Sequence, residues 1–274
     1  MPAIPRTGPL LVNIGCGAVF HPDWVNLDVT PSDAAVRRWD ARSGLPFDDR
    51  GVDACYASHV LEHLSKVEAS RLLEECLRIL RPGGVVRLVV PDLEGIARHY
   101  LRLLDAAEGG SVDAIADYDW ILLELFDQMV RTESGGEMHR CLTSHTTPSR
   151  AFVVSRVGLE AEATPAKQPR RPAGLPHLSR RVREEAVALV AGALLGRDGR
   201  AAMKEGLFRR SGQVHLWMYD RLSLRRLLEQ SGFRDPRRCA ADQSRIPGFA
   251  GYDLDTLGGR VRKPDSLFME AVKP

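Results

Sequence analysis

The stretch Leu10 to Asp28, LLVNIGCGAVFHPDWVNLD, constrains this chain more than any other. The apolar run Leu10 to Ile14 has the length and content of a buried strand. It breaks into Gly15-Cys16-Gly17, and a second short strand, Trp24 to Leu27, ends on Asp28. Two glycines let the main chain approach a ligand with no side chain between, and an acid at the tip of the next strand can accept hydrogen bonds from ribose hydroxyls. A plain strand-end turn would use the same residues. The dinucleotide fingerprint is incomplete, because Phe20 stands where its third glycine is needed and Asp28 comes sooner than the roughly 20-residue spacing of its acid. A pyrophosphate is therefore disfavoured, which leaves a nucleoside without phosphates.

A chain of 274 residues, 44% of them hydrophobic, can bury a full core as one large α/β domain with insertions or as a domain plus a small lobe. The net charge of +2 gives no sign of nucleic-acid binding. Cys16, Cys55, Cys76, Cys141 and Cys239 are odd in number and lack CxxC spacing, so they read as reduced thiols of a cytosolic protein. MPAIPRTGP has no signal-peptide core, and the longest apolar run, Ala186 to Leu195, is too short to cross a bilayer. The expectation is a cytoplasmic protein without stable membrane insertion.

Past Asp28, Trp39-Asp40 leads into Ala41 to Asp49. Asp40 falls at or just beyond the tip of a third strand, where its carboxylate could accept from an exocyclic amine; an N-cap or surface turn is the alternative. Val52 to Ser58 reads as a fourth strand with His59 at its end. From Ser65 to Arg81, residues Ala69, Leu72, Leu73, Cys76, Leu77 and Leu80 mark one helix face, and Pro82-Gly83-Gly84 stops it. Val85 to Val90, interrupted only by Arg87, has the continuous apolar character of a strand covered on both faces. This alternation implies a doubly wound, mostly parallel α/β sheet. Ligands in such sheets bind outside the carboxyl ends of the strands, where Gly15, Asp28, Asp40 and His59 all fall.

The series IGCG, NLD, LPFDD, VDACYASHVLEHL and LRILRPGGVVRLVVPDLE resembles the class I S-adenosylmethionine-dependent methyltransferases. It is most similar to the predicted bacterial branch of cell-surface sugar and secondary-metabolite pathways. The resemblance covers roughly residues 10 to 100 and resumes in Leu216 to Phe233 and near the C-terminus. It implies a Rossmann-like methyltransferase fold with a helical and loop insertion: a cofactor-binding core over 1–105, an insertion over 106–212 that acts as lid or oligomer contact, and the rest of the core sheet over 213–274. It also implies S-adenosyl-L-methionine as cofactor. Gly15 and Gly17 would lie against its methionine and ribose, Asp28 would hold the ribose hydroxyls, Asp40 would approach the adenine amine, and His59 would border the sulfonium and the acceptor. Asn13, Cys16 and Ser58 complete the expected cofactor-binding set. One departure stands out: the link from Gly17 to Trp24 is much shorter than the dozen or more residues usual for a parallel crossover. The first helix must be reduced to a turn or displaced.

Helices are expected over Leu93 to Leu104 and Ile115 to Val130, with Asp117, Asp119, Glu124 and Asp127 read as a solvated face. Arg131 to Pro148, carrying His139 and His145, reads as a long loop that is either a lid or mobile. Ala161 to Arg183, rich in Pro and Arg, reads as a flexible link. Arg180 to Leu195 reads as a helix with Val182, Ala186, Leu189, Val190, Ala193 and Leu194 on one side, packing on its own domain or on a second subunit rather than on an anionic membrane. A helix over Leu222 to Gln230, capped by Asp220 or Ser223, precedes strands at Arg237 to Ala241 and Leu267 to Val272. Ser244 to Asp255 also resembles the same branch, without a role derivable from the residues. There is no internal repeat.

Methyl transfer from a sulfonium is an in-line displacement that needs no acid for the leaving thioether. The protein must align the acceptor, exclude water and, for a hydroxyl, remove a proton. Histidine suits that last task near neutral pH. His59 is the first candidate, followed by His139, His145 and His215 in segments able to close over the site. His59, Glu62 and His63 also have the i, i+3, i+4 spacing of metal ligands, but no further ligand cluster accompanies them and no metal is expected. The resemblance, and it alone, implies O-methylation of a sugar or glycosylated small molecule. A non-sugar natural product, nitrogen or carbon acceptors, and a non-catalytic binding protein that retains the fold stay open. So does a homo-oligomer. A nicotinamide-dependent oxidoreductase is disfavoured by the incomplete glycine pattern.

Overall fold

The computed structural model describes residues 8–143, 150–163 and 175–274. In chain order, β1 (Leu11–Ile14), β2 (Trp24–Asp28), β3 (Val36–Arg38) and β4 (Val52–Ser58) precede α1 (Lys66–Ile79) and β5 (Leu80–Pro91). Next come α2 (Leu93–Glu108), α3 (Val112–Val130), α4 (Gly136–Thr143), α5 (Arg150–Val157), α6 (Leu159–Ala163) and α7 (Leu175–Arg209). The chain ends with α8 (Arg221–Gln230), β6 (Arg234–Cys239), the short pair β7 (Thr256–Leu257) and β8 (Arg260–Val261), and β9 (Ser266–Val272).

Seven strands form one sheet in the order β3-β2-β1-β4-β5-β9-β6. The first five are parallel, and β9 runs antiparallel to both β5 and β6. The chain builds outward from β1 in one direction and from β4 in the other, so the sheet reverses its order between them. A crevice opens at that point at the carboxyl edge. All four residues of β1 are buried, which explains the unbroken apolar run in its sequence. This is an α/β, mostly parallel Rossmann-like sheet, as the sequence pattern implied.

One face is covered by helices. Val12, Ile14, Leu27 and Cys55 pack with Leu72, Leu73 and Cys76 of α1 and Leu224 and Leu228 of α8. Both helices start at reciprocal side-chain caps, Ser65 with Glu68 and Asp220 with Ser223, so the two expected caps of α8 act together. The opposite face is covered by the segment whose role the sequence left blank. Ala241, Ile246, Phe249 and Leu254 pack on Leu11, Trp24, Tyr56, Val89 and Phe268. There is no helix between β1 and β2, which settles the short connection: it is a turn.

Four readings of the middle of the chain need correction. The acids of α3 are not uniformly solvated: Glu124 and Asp127 are each 5% exposed, because α3 is enclosed by α2, α4 and α5. Glu124 accepts from Arg156 of α5 and from the Trp120 indole, and Asp127 accepts from the Glu137 amide at the start of α4. The segment from Arg131 is not structureless, since Gly136–Thr143 is helical. The expected link to Arg183 is helical from Leu175, in α7, which breaks at Gly196 with φ +74°. Along α7, Ala188 and Ala191 are buried while Val182, Leu189, Val190 and Leu194 are exposed, so the apolar side anticipated there does not pack on its own domain. No helix among the described residues is long and apolar enough to cross a membrane.

Candidate functional site

Gly15, Cys16 and Gly17 form the turn that leaves β1. The amides of Gly15 and Cys16 both donate to the Leu27 carbonyl of β2, at 2.8 and 3.1 Å, which docks the turn on the neighbouring strand. Gly15 has φ +65° and Gly17 φ +56°, a region open to glycine and costly for other residues. The two differ in surroundings. A Cβ on Gly15 would lie 2.5 Å from Val60 Cγ2, whereas one on Gly17 would meet nothing within 4 Å. Gly15→Ala is therefore expected to lower the melting temperature and ligand affinity clearly more than Gly17→Ala, which carries only the left-handed cost of roughly 1–2 kcal/mol. Adding Val60→Ala should partly restore Gly15→Ala in thermal unfolding; equal effects of the two single variants would refute the steric argument.

Asp28, the last residue of β2, supports this turn directly. Its Oδ2 accepts from the Gly17 amide at 2.9 Å and its Oδ1 from the Thr30 amide at 2.7 Å, while Ser32 Oγ donates to the Gly17 carbonyl at 2.9 Å. Asp40 caps the short helical turn at Ala41–Ser43 and is gripped by the Arg42 guanidinium, whose hydrogen bond holds the carboxyl below its ordinary range. This is the N-cap alternative for Asp40, and an adenine amine would have to share the carboxylate with Arg42.

A cavity of about 760 Å³ opens at the sheet's switch point. Asn13, Gly15, Cys16, Gly17, Ser58 and His59 line it, so six of the expected site residues share one wall. Asp28 and Asp40 lie outside that lining. Asn13 is fully buried; its Nδ2 donates to Val19 and Asn26, and its Oδ1 finds no partner among the described residues. Burial pushes the Cys16 thiol up to about 12, so it stays protonated. The far wall includes Leu159, Leu254, Asp255, Leu257, Arg262 and Phe268.

His59 follows β4 with φ +55°, a rare conformation for a non-glycine residue that turns its ring back over the sheet edge. Its Nε2 lies 3.0 Å from Ser266 Oγ and its Nδ1 3.2 Å from Glu62 Oε1. Glu62 is fully buried. Burial alone would push its carboxyl up, but the hydrogen bond from His59 and the neighbouring His63 and His215 outweigh it and hold the group down to about 2. The segment before α8 docks here: the amides of Leu216 and Trp217 donate to the Glu62 carbonyl, at 2.6 and 3.3 Å, and the His215 amide donates to Gln128. That docking sets His215 edge-on to His63, ring centres 4.7 Å apart. Burial pulls His215 down to about 3 and lowers His63 as well, so both imidazoles are neutral.

The structure thus brings His59, His63 and His215 together. His139 lies exposed on α4 and does not line the cavity. His145 falls outside the described residues.

Residues 12–88 match the family model of a methyltransferase domain. Within the chain's length, 76 residues are 38% identical to a protein of Mycolicibacterium gilvum described as an uncharacterized methyltransferase, covering 24% of this chain and 29% of that relative. The chain therefore matches less than a third of the relative's length. Among solved structures, a SAM-dependent methyltransferase from Archaeoglobus fulgidus is 12% identical with a TM-score of 0.38, covering 97% of this chain and 87% of that one. A SAM-dependent methyltransferase from Thermotoga maritima is 11% identical with a TM-score of 0.37, covering 98% and 84%.

The matched residues 12–88 include the glycine turn, Asp28, Asp40 and the whole His59 to His63 stretch. The C-terminal half of the site lies beyond it. Tyr56 of β4 donates to Asp255 Oδ1 at 2.6 Å, and Asp255 Oδ2 accepts from Arg87 Nε at 2.7 Å. Arg87, with no exposed surface, also donates to Glu270 Oε1 and to the carbonyls of Ala240, Ala241 and Gln243. Sequence reasoning missed Tyr56, Asp255 and His215's partnership with His63. The one available signal was an arginine inside an apolar strand, which must find acids elsewhere in the fold.

Proposed function

We propose that this chain is an S-adenosylmethionine-dependent methyltransferase that methylates an oxygen of a sugar or glycosylated small molecule. The observation that carries the reading is the convergence of the glycine turn and His59 on one cavity at the switch point, within the residues that match a methyltransferase domain. The residues fit such a cofactor. Gly17 is open on its Cα side, Asn13 Oδ1 is buried without a partner among the described residues, and the cavity has the volume of a small-molecule site. Gly15, Gly17 and Asn13 would hold the methionine end, with Asp28 toward the ribose. When bound, the cofactor supplies an electrophilic methyl group on a positively charged sulfur.

The chain's own part is alignment, dryness and proton removal. Tyr56, Val89, Leu254 and Phe268, all buried side chains, supply a largely apolar part of the cavity wall. His59 is the base: Glu62 fixes its Nδ1 side, so Nε2 faces Ser266 Oγ and carries the lone pair an acceptor hydroxyl requires. Arg262 and the mixed polar and apolar far wall suit a small molecule with both hydroxyls and a hydrophobic part. The five cysteines are all free thiols, which supports a reducing, cytoplasmic setting.

The test is isothermal titration of the purified chain with S-adenosylmethionine, S-adenosylhomocysteine and, as control, NAD. Saturable binding of the first two with none of NAD is expected, followed by turnover in a screen of sugar acceptors; binding of NAD alone would overturn the reading. Asp28→Ala should weaken S-adenosylmethionine by about 1.5–3 kcal/mol, the worth of hydrogen bonds to a charged group, with the loosened Gly17 amide acting in the same direction. Unchanged affinity in a folded Asp28→Ala protein would remove Asp28 from the site.

A further inference from the structure

We infer that Glu62, His63 and His215 form a binding site for a divalent transition-metal ion at the inner edge of the cavity. One carboxylate oxygen of Glu62 and one nitrogen from each histidine lie within 4.8 Å of one another. An ion about 2.1 Å from each of three donors holds them roughly 3–3.5 Å apart, so the set needs only small side-chain adjustments to close. The Glu62 carboxylate, fully buried, leaves Oε2 without a hydrogen-bond partner among the described residues, a costly state that a cation would relieve.

The surroundings orient the donors. His63 Nδ1 lies 3.2 Å from the Val214 carbonyl, which requires the proton on Nδ1 and leaves Nε2 with the lone pair. A backbone carbonyl on the far ring nitrogen is the usual support of a metal-bound imidazole. Glu62 Oε1 faces His59 Nδ1, a second support of the same kind. Arg131, a cationic neighbour of His63 and His215, donates to the Gln213 carbonyl. Two imidazoles and one carboxylate favour Zn2+, Co2+, Mn2+ or Fe2+ over Mg2+ or Ca2+, and three protein ligands leave positions open. His63 also lines the cavity, so those positions face an acceptor's oxygen. That use of the ion rests on the methyltransferase reading, whereas its binding does not.

The experiment titrates the untagged, EDTA-treated full chain with Co2+, followed by visible absorption and calorimetry in the absence of any cofactor. One equivalent bound, with the spectrum of a nitrogen and oxygen site, is expected. His215→Gln should bind Co2+ at least tenfold more weakly while keeping its S-adenosylmethionine affinity and melting temperature, and His139→Ala should bind as the parent does. X-ray absorption of the Zn2+-loaded parent chain, which needs no variant to fold, should count two imidazole ligands. No stoichiometric binding, a folded His215→Gln that binds like the parent, or a Zn2+ shell without two imidazoles would overturn the site. Failure of S-adenosylmethionine to bind would overturn the methyltransferase reading and leave the metal result standing.

Discussion

Replacing Arg87 by methionine is expected to remove about 3–5 kcal/mol of folding stability, the range for breaking a buried ion pair by deleting one partner. Arg87 neutralises both Asp255 and Glu270 from a position with no solvent access, at 2.7 and 2.8 Å, and its guanidinium also stacks over Phe249 at 4.4 Å from the ring centre. Methionine fills a similar volume but leaves two buried carboxylates without a cation and takes one donor from each of the carbonyls of Ala240, Ala241 and Gln243. Urea unfolding followed by circular dichroism measures the loss. Because a typical domain has only about 5–15 kcal/mol in hand, the variant should sit near its folding threshold. A loss below about 1 kcal/mol would mean that water reaches Asp255 and Glu270. The segment that covers the second sheet face is held through this residue, so a folded Arg87→Met chain should also loosen the far wall of the cavity.

The second large effect concerns catalysis. For any acceptor that the parent chain methylates, His59→Gln should lower kcat by about 10²–10⁴, the usual contribution of a positioned general base, with little change in S-adenosylmethionine affinity. Glutamine keeps a polar group between Ser266 Oγ and Glu62 Oε1 but cannot take a proton. Single-turnover rates and cofactor titration separate the two quantities. A loss confined to cofactor affinity would place His59 in cofactor binding alone. Glu62→Gln is expected to lower kcat less than His59→Gln does, since it disturbs the ring's orientation and not the proton acceptor.

How far the sequence reached can be judged from particular elements. The strand from Val52 to Ser58 is found with those bounds, and α3 and α8 begin within three residues of where periodicity and caps put them. These are local matters: hydrophobic period, a capping side chain and a glycine carry them within a few residues. Leu80 shows the limit, since it continues the helical spacing yet opens β5 opposite Val52. The apolar side of α7 shows another, because periodicity marks a face without saying what covers it.

The sequence by itself determined the parallel sheet, the glycine turn at its switch point and the acids and histidine at the strand ends, since each follows from residues close together in the chain. Only the tertiary structure decided which of them share a cavity. It paired Arg87 with Asp255 and Glu270, 168 and 183 residues away, and Tyr56 with Asp255, 199 residues away. It also carried His215 across the helices α2–α7 to lie edge-on against His63. The physical reason is common to all of these. A buried charge or lone pair must be satisfied wherever the fold can bring a partner, and that partner's distance along the chain leaves no mark in the local pattern that forms each strand and helix.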